Sequence, residues 1–221
     1  MPSLQRMSLV LLLAAVSSTT PGFAQSLVKA ERPEVKVGDS SVFQDTNVRT
    51  GEKRDTTQRL VAIDGDKLVT ATSGATSGTR TYTREWNVVE VKTGQALAQT
   101  FKPFFPQLQF PLEIGRTWDL PFELEFYGKI KRISNWQVKA RVAAVEAVTV
   151  AAGTFQTFRI EYDDTFTTRE GNASWTGTQK DTAWYAPQAM RIVKRDFEQA
   201  VPSRKFLDHH LIEMMSFKPA P

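Results

Sequence analysis

Residues 135–168, NWQVKARVAAVEAVTVAAGTFQTFRIEYDDTFTT, decide the fold class. From Asn135 to Val150 the run is strongly β-prone, with apolar and polar residues taking turns. After the small-residue break Ala151-Ala152-Gly153 the alternation resumes. Phe158, Ile160 and Tyr162 then fall on one side, and Arg159, Glu161 and Asp163 on the other. A period of two marks a strand with one buried face, because successive strand side chains point to opposite faces. The phase changes near Ala143-Ala144, as a bulge or bend requires. Small residues with a glycine suit a sharp corner, and Phe155 just past it is placed to tuck back beneath it. The stretch reads as two long strands joined at a corner.

Working outward, the same period recurs. Residues 56–73, TTQRLVAIDGDKLVTATS, hold two strand-like segments around Asp64-Gly65-Asp66, a hairpin-turn signal. Residues 79–91, TRTYTREWNVVEV, read as one long strand closed by the turn Lys92-Thr93-Gly94. In residues 117–128 Phe122, Leu124 and Phe126 alternate with Glu123 and Glu125, a core side and a wet side. Gly171-Asn172 supplies a turn, and residues 175–186, 189–198 and 204–217 follow as three more strands. The expected fold is all-β: a single-domain antiparallel meander over residues 25–221, curled into an open or flattened barrel of about ten strands.

One segment resists this pattern. Residues 101–118, FKPFFPQLQFPLEIGRTW, contain Pro103, Pro106 and Pro111, which argue against a central strand. Yet Phe101, Phe104, Phe105, Phe110 and Leu112 make it one of the most apolar parts of the chain. A loop of this kind is expected to plug one end of the barrel or to cover one face of the sheet.

The N-terminus carries a targeting signal. Arg6 precedes the ten-residue apolar run Met7–Val16, then a polar stretch and Gly22-Phe23-Ala24, with small residues at the −3 and −1 positions. This is the pattern of a secretory signal peptide over residues 1–24, cleaved near Ala24. The run is too short to span a bilayer, which takes about 20 residues, and no second membrane-length run follows. A periplasmic or secreted protein is expected. The chain has no cysteine, which excludes disulfides, thiolate metal sites, a cysteine nucleophile and lipid attachment through a cysteine. A net charge of +4, lowered by one when Arg6 is removed, is too small to argue for nucleic acid. The basic clusters Lys129–Arg132 and Lys194-Arg195 read as solvated strand ends.

Catalytic signatures are sparse. His209 and His210 are the only histidines, and being adjacent on a strand they face opposite ways, so together they make no metal site. There is no G-x-S-x-G elbow and no phosphate loop, and Asp64-Gly65-Asp66 lacks the remainder of a calcium loop. Nothing in the sequence calls for a cofactor or a metal. Glu123 with Glu125 and Glu161 with Asp163 lie two residues apart, ~6–7 Å along a strand. Such pairs serve acid–base chemistry on envelope glycans in one reading and form a salt-bridged outer face in the other. The aromatic content points elsewhere. Five tryptophans and fourteen phenylalanines exceed what turns require, and a curled sheet would turn some of them into a concavity for an apolar molecule such as an acyl chain. The candidate ligand-binding residues are Phe101, Phe104, Phe105, Phe110, Trp118, Trp136, Trp184 and Tyr185. A protein partner, bound through exposed strand edges, is the other non-enzymatic expectation.

Residues 148–160, VTVAAGTFQTFRI, followed by residues 184–196, WYAPQAMRIVKRD, resemble a motif pair of exported bacterial β-proteins of unknown function: V-x-V-x-A-G-T-F, then W-Y-A-P. Residues 110–118, FPLEIGRTW, resemble the F-P-L-x-x-G-x-x-W element found upstream in the same proteins. The resemblance covers about residues 104–197 and implies a fold type, with no catalytic residues. Gln188-Ala189-Met190 stands where that family often has a glycine. Some of these proteins are similar to the open half-barrel carriers of periplasmic lipoproteins, an analogy of fold alone.

Overall fold

The two segments flanking Gly153 are the longest strands of the molecule. A computed structural model describes residues 28–221, and the expected leader over residues 1–24 lies outside the described residues. The strands are β1 (Lys29–Ala30), β2 (Ser40–Asn47), β3 (Lys53–Asp64), β4 (Lys67–Gly74), β5 (Gly78–Thr83), β6 (Val88–Thr93), β7 (Ala96–Phe105), β8 (Leu112–Glu113), β9 (Thr117–Phe126), β10 (Arg132–Val150), β11 (Gly153–Glu170), β12 (Ala173–Ala186), β13 (Arg191–Val201) and β14 (Phe206–Lys218). Two 3₁₀ turns, Pro187–Ala189 and Pro202–Arg204, join the last three.

Twelve of these strands form one closed barrel, in the order β10-β11-β12-β13-β14-β2-β3-β4-β5-β6-β7-β9, and β9 pairs back to β10. Every pairing is antiparallel. The antiparallel β-barrel expected from the alternation is therefore present, and its ring is closed. Closure pairs both sides of each barrel strand and removes the bare edges that a partner strand would need. Among the described residues only β1 and β8 stand outside the ring, paired with each other.

The register slips between Val142 and Ala144, where the sequence changes phase. At the corner, Gly153 has φ 136°, and Phe155 packs under it with Val150 and Ala186. Met190 and Lys205 each close a proline-led 3₁₀ turn in the left-handed region, at φ 55° and 52°. Met190 and Lys205 thus occupy a backbone region that favours glycine.

Two expectations need correction. Residues 79–91 are not one strand: β5 ends at Thr83, the chain turns through Trp86 at φ 64°, and β6 starts at Val88. The Thr83 hydroxyl accepts from the Glu85 and Asn87 amides, holding a turn that has neither glycine nor proline. The other correction concerns Pro103, which lies inside β7. β7 pairs with β9 as far as Lys102↔Glu123. On its other side the ladder jumps from Glu90↔Thr100 to Val88↔Phe105. Pro103 falls in that irregularity, where a missing N–H interrupts no regular pairing. The proline-rich loop proper starts at Pro106.

Hairpin connections alternate between the two ends of the barrel. One end carries the turns β2–β3, β4–β5, β6–β7, β9–β10, β11–β12 and β13–β14. The other carries the β3–β4 turn at Gly65, the Trp86 turn, the Gly153 corner, the Pro187 turn and the β7–β9 connection. That connection closes its end. Leu108 and Leu112 are fully buried, and the Asn87 side chain clamps Leu108 by donating to its carbonyl and accepting from its amide, each at 2.8 Å. Trp118 Nε1 donates to the Pro106 carbonyl at 2.9 Å, and the Tyr162 hydroxyl donates to that of Gln107. A loop this deep must satisfy its backbone polar groups internally, and these side chains do so.

Candidate functional site

One wall of the barrel interior is a ladder of aromatic rings. In register across three strands stand Phe122 (β9), Trp136 (β10) and Phe166 (β11), and the next position is Gly177 (β12). Ring centroids are 5.7 Å apart between Phe122 and Trp136 and 4.3 Å between Trp136 and Phe166, both stacked. Phe101 (β7) stacks on Phe122 at 6.0 Å, and Phe105 approaches it at 5.3 Å. Offset stacks of this kind add to the burial energy of each ring.

The ladder borders open space. A cavity of about 340 Å³ lies against Phe101, Phe105, Phe122, Leu124 and Trp136. It shares Phe126, Trp136 and Gln199 with a second, about 370 Å³, reaching Trp175, Arg204 and Phe206 at the turn-rich end. In the other direction it shares Arg80, Val88 and Arg195 with a third, about 210 Å³, beneath the plug at Leu108. The three form a string along the lumen. Small-molecule sites run from roughly 300 to 1,000 Å³. At the turn-rich end Val48, Tyr127, Ile130, Phe206 and Leu207 are exposed, and the Arg204 guanidinium lies 3.3 Å from the Trp175 ring centroid.

Beside the aromatic wall the lumen is polar, because Asp164 follows Phe166 on the same face of β11 and Asp181 and Arg195 sit on the next two strands. Arg195 donates to Asp181 Oδ2 through Nε at 2.7 Å and through Nη2. Lys194-Arg195 therefore does not end as a solvated strand end: Arg195 turns inward and pairs with a fully buried carboxylate. Beside the pair sits Asp164, fully buried and without a side-chain hydrogen-bond partner, with the Lys139 backbone acting on its carboxylate. Burial, reinforced by the neighbouring Asp181 charge, raises its pKa to about 7. The two histidines diverge as their adjacency requires. His209 meets Asp196 at 2.7 Å, while His210 lies between Asp45 at 2.7 Å and Asp208 at 3.0 Å and stacks on Phe197. Its pKa is raised by the two carboxylates against the opposing effect of burial.

Of the sequence-derived candidates, Phe101, Phe105 and Trp136 line the lumen together. Trp118 and Tyr185 are buried beside the plug. Trp118 packs edge-on to Tyr162 at 6.1 Å, and Tyr185 edge-on to Phe110 at 5.2 Å. Phe104 is partly buried and lines none of the three cavities. Trp184 belongs to a separate cluster with Val193 and Met214, where its Nε1 donates to Glu146 at 2.6 Å. Phe122 and Phe166, which are not among those candidates, complete the ladder; Phe122 already stands on the core side of its strand in the sequence.

Three of the four paired carboxylates, Glu123, Glu125 and Glu161, are ion-paired on the outer face. Lys102 reaches Glu123 at 3.5 Å and Glu125 at 3.0 Å, and Lys131 reaches Glu125 at 2.8 Å. Hydrogen bonds from Lys131, Tyr127 and Lys102 hold the Glu125 pKa down to about 2, which deprives it of the proton a general acid delivers. Glu161 is paired with Arg141 and Arg159. Among the described residues no three His, Cys, Asp or Glu side chains converge as a metal site, and no helix is long and apolar enough to cross a membrane.

The chain is similar in structure to three solved proteins. A protein described as exported, with a YmcC-like fold, from Bacteroides fragilis aligns at 14% identity over 86% of this chain and 99% of its own, with a TM-score of 0.43. A protein described as a lipoprotein from Parabacteroides distasonis aligns at 12% identity over 86% and 99%, with a TM-score of 0.44. YmcC of Escherichia coli, described as a hypothetical lipoprotein, aligns at 12% identity over 83% and 85%, with a TM-score of 0.37. No family model matches the chain, and no curated protein does.

Proposed function

We propose that this protein is exported to the periplasm and there binds an apolar or amphiphilic molecule, such as an acyl chain, inside the barrel. The observation that carries this reading is the aromatic ladder Phe101–Phe122–Trp136–Phe166 facing the string of cavities. Filling a void beside such a wall removes apolar surface from water at about 25 cal/mol per Å². Entry is from the turn-rich end, because the Asn87-clamped plug blocks the other. Residues 25–221 act as one binding domain.

Delipidated protein titrated with a neutral fluorescent probe, 1-N-phenylnaphthylamine, tests this. Saturable binding with energy transfer from Trp136 is expected, weakened about tenfold, or 1.4 kcal/mol, by Phe101→Gln. Failure of the wild-type protein to bind the probe would remove the reading.

A further inference from the structure

The plug end of the lumen holds positive charge without a matching carboxylate. Arg191 enters from the first residue of β13 and lies over the Trp86 ring, 3.8 Å from its centroid, with Tyr82 at 6.0 Å and Phe43 at 5.5 Å. It donates through Nη2 to Gln58 Oε1 at 2.6 Å, an oxygen that also accepts from the Tyr82 hydroxyl. Among the described residues no carboxylate comes within 4.0 Å of Arg191 or of Arg80, which faces the same cavity. Asp39 acts on Arg191 from farther away, and its oxygens are taken by the Lys36 and Ala220 amides. Asp45 shares the cavity but is engaged by His210.

A partly buried guanidinium held against aromatic rings with a single side-chain acceptor is costly to maintain. The backbone beneath it is strained as well. Trp86 is a bulky residue at φ 64°, a conformation that persists only where surrounding structure enforces it. Its ring is what Arg191 rests on. Strain and unpaired charge at one spot, beside an open cavity of about 210 Å³, indicate a group kept ready for an anion.

We propose that Arg191 and Arg80 form a site for the carboxylate or phosphate of an amphiphile whose chain lies along the aromatic ladder toward the turn-rich end. The inference deepens the apolar-ligand reading and rests on it. The guanidinium fork suits either oxyanion through paired N–H donors. The arginine cavity and the ladder cavity adjoin at Arg80, Val88 and Arg195, where one molecule would pass from one to the other.

The test is calorimetric titration of delipidated protein with dodecanoate, dodecanol and inorganic phosphate, at about pH 8 so that the carboxylate is ionised. Dodecanoate is expected to bind at least about tenfold more tightly than dodecanol. Arg191→Gln and Arg80→Gln should each bring the two within about threefold while retaining the wild-type circular dichroism spectrum. Equal binding of dodecanoate and dodecanol to the wild type would overturn the anion site and leave the apolar lumen standing. Phosphate binding that Arg80→Gln abolishes, without binding of either twelve-carbon ligand, would assign the arginines to a free anion and overturn the amphiphile. No binding of any of the three would overturn both readings.

Discussion

The Phe166 ring lies across Gly177, so closely that a Cβ at residue 177 would stand 2.2 Å from Cζ of Phe166 and 2.6 Å from the Ala200 carbonyl oxygen. The ladder therefore ends on a position with no room for a side chain. Since Phe166 stacks on Trp136 and Trp136 on Phe122, moving one ring moves the wall.

Gly177→Ala is expected to destabilise the protein by about 1–3 kcal/mol, the range for overpacking a filled site. The backbone contact to Ala200 cannot be relieved by a rotamer change. Urea unfolding should show a lower midpoint with little change in slope. An unchanged midpoint would mean that the ladder shifts freely.

Asp164 gives the molecule an unusual pH profile. Its folded pKa, about 7, exceeds its ordinary value of 3.8. Between those values the folded state holds a proton that the unfolded state has released, so this group lowers stability as pH rises through the window, and the loss is complete above it. Asp164→Asn should stabilise the protein at pH 8, by on the order of 3 kcal/mol, and have little effect below pH 4. Melting temperatures of both proteins across that range check the sign.

Glu125 acts in the opposite sense. Its depressed pKa means that its ion pairs stabilise the fold above about pH 4.5 and fail as pH falls toward 2. Glu125→Gln should lower the melting temperature at pH 7, with the difference closing in strong acid.

Lys205 closes the second 3₁₀ turn at φ 52° and is exposed. A left-handed backbone costs a non-glycine residue about 1–2 kcal/mol, partly offset by the greater chain entropy of glycine. Lys205→Gly is expected to gain about 0.5 kcal/mol or more in chemical denaturation.

The barrel was legible because each long strand has one dry face, and alternation records dryness directly. The turn at Trp86 was not, because Thr83 holds it with a hydroxyl and no glycine or proline marks it. Pro103 misled because a proline inside a ladder irregularity leaves the same trace in sequence as one in a loop. The charged side of the lumen was the least legible. Arg195 and Asp181 show the pattern of an ordinary cross-strand ion pair, and only closure of the ring determines that they point inward. Trp184 and Tyr185 illustrate the same limit: adjacent aromatics go to different clusters, and only one can face a given side.

The most direct test of a ligand-filled barrel is native mass spectrometry of protein purified from its own cell envelope, with organic extraction of what accompanies it. A bound amphiphile, released when the protein is unfolded and lost in Phe101→Gln, is the predicted result. A bare polypeptide mass in every preparation, together with failure to take up the neutral probe, would contradict it.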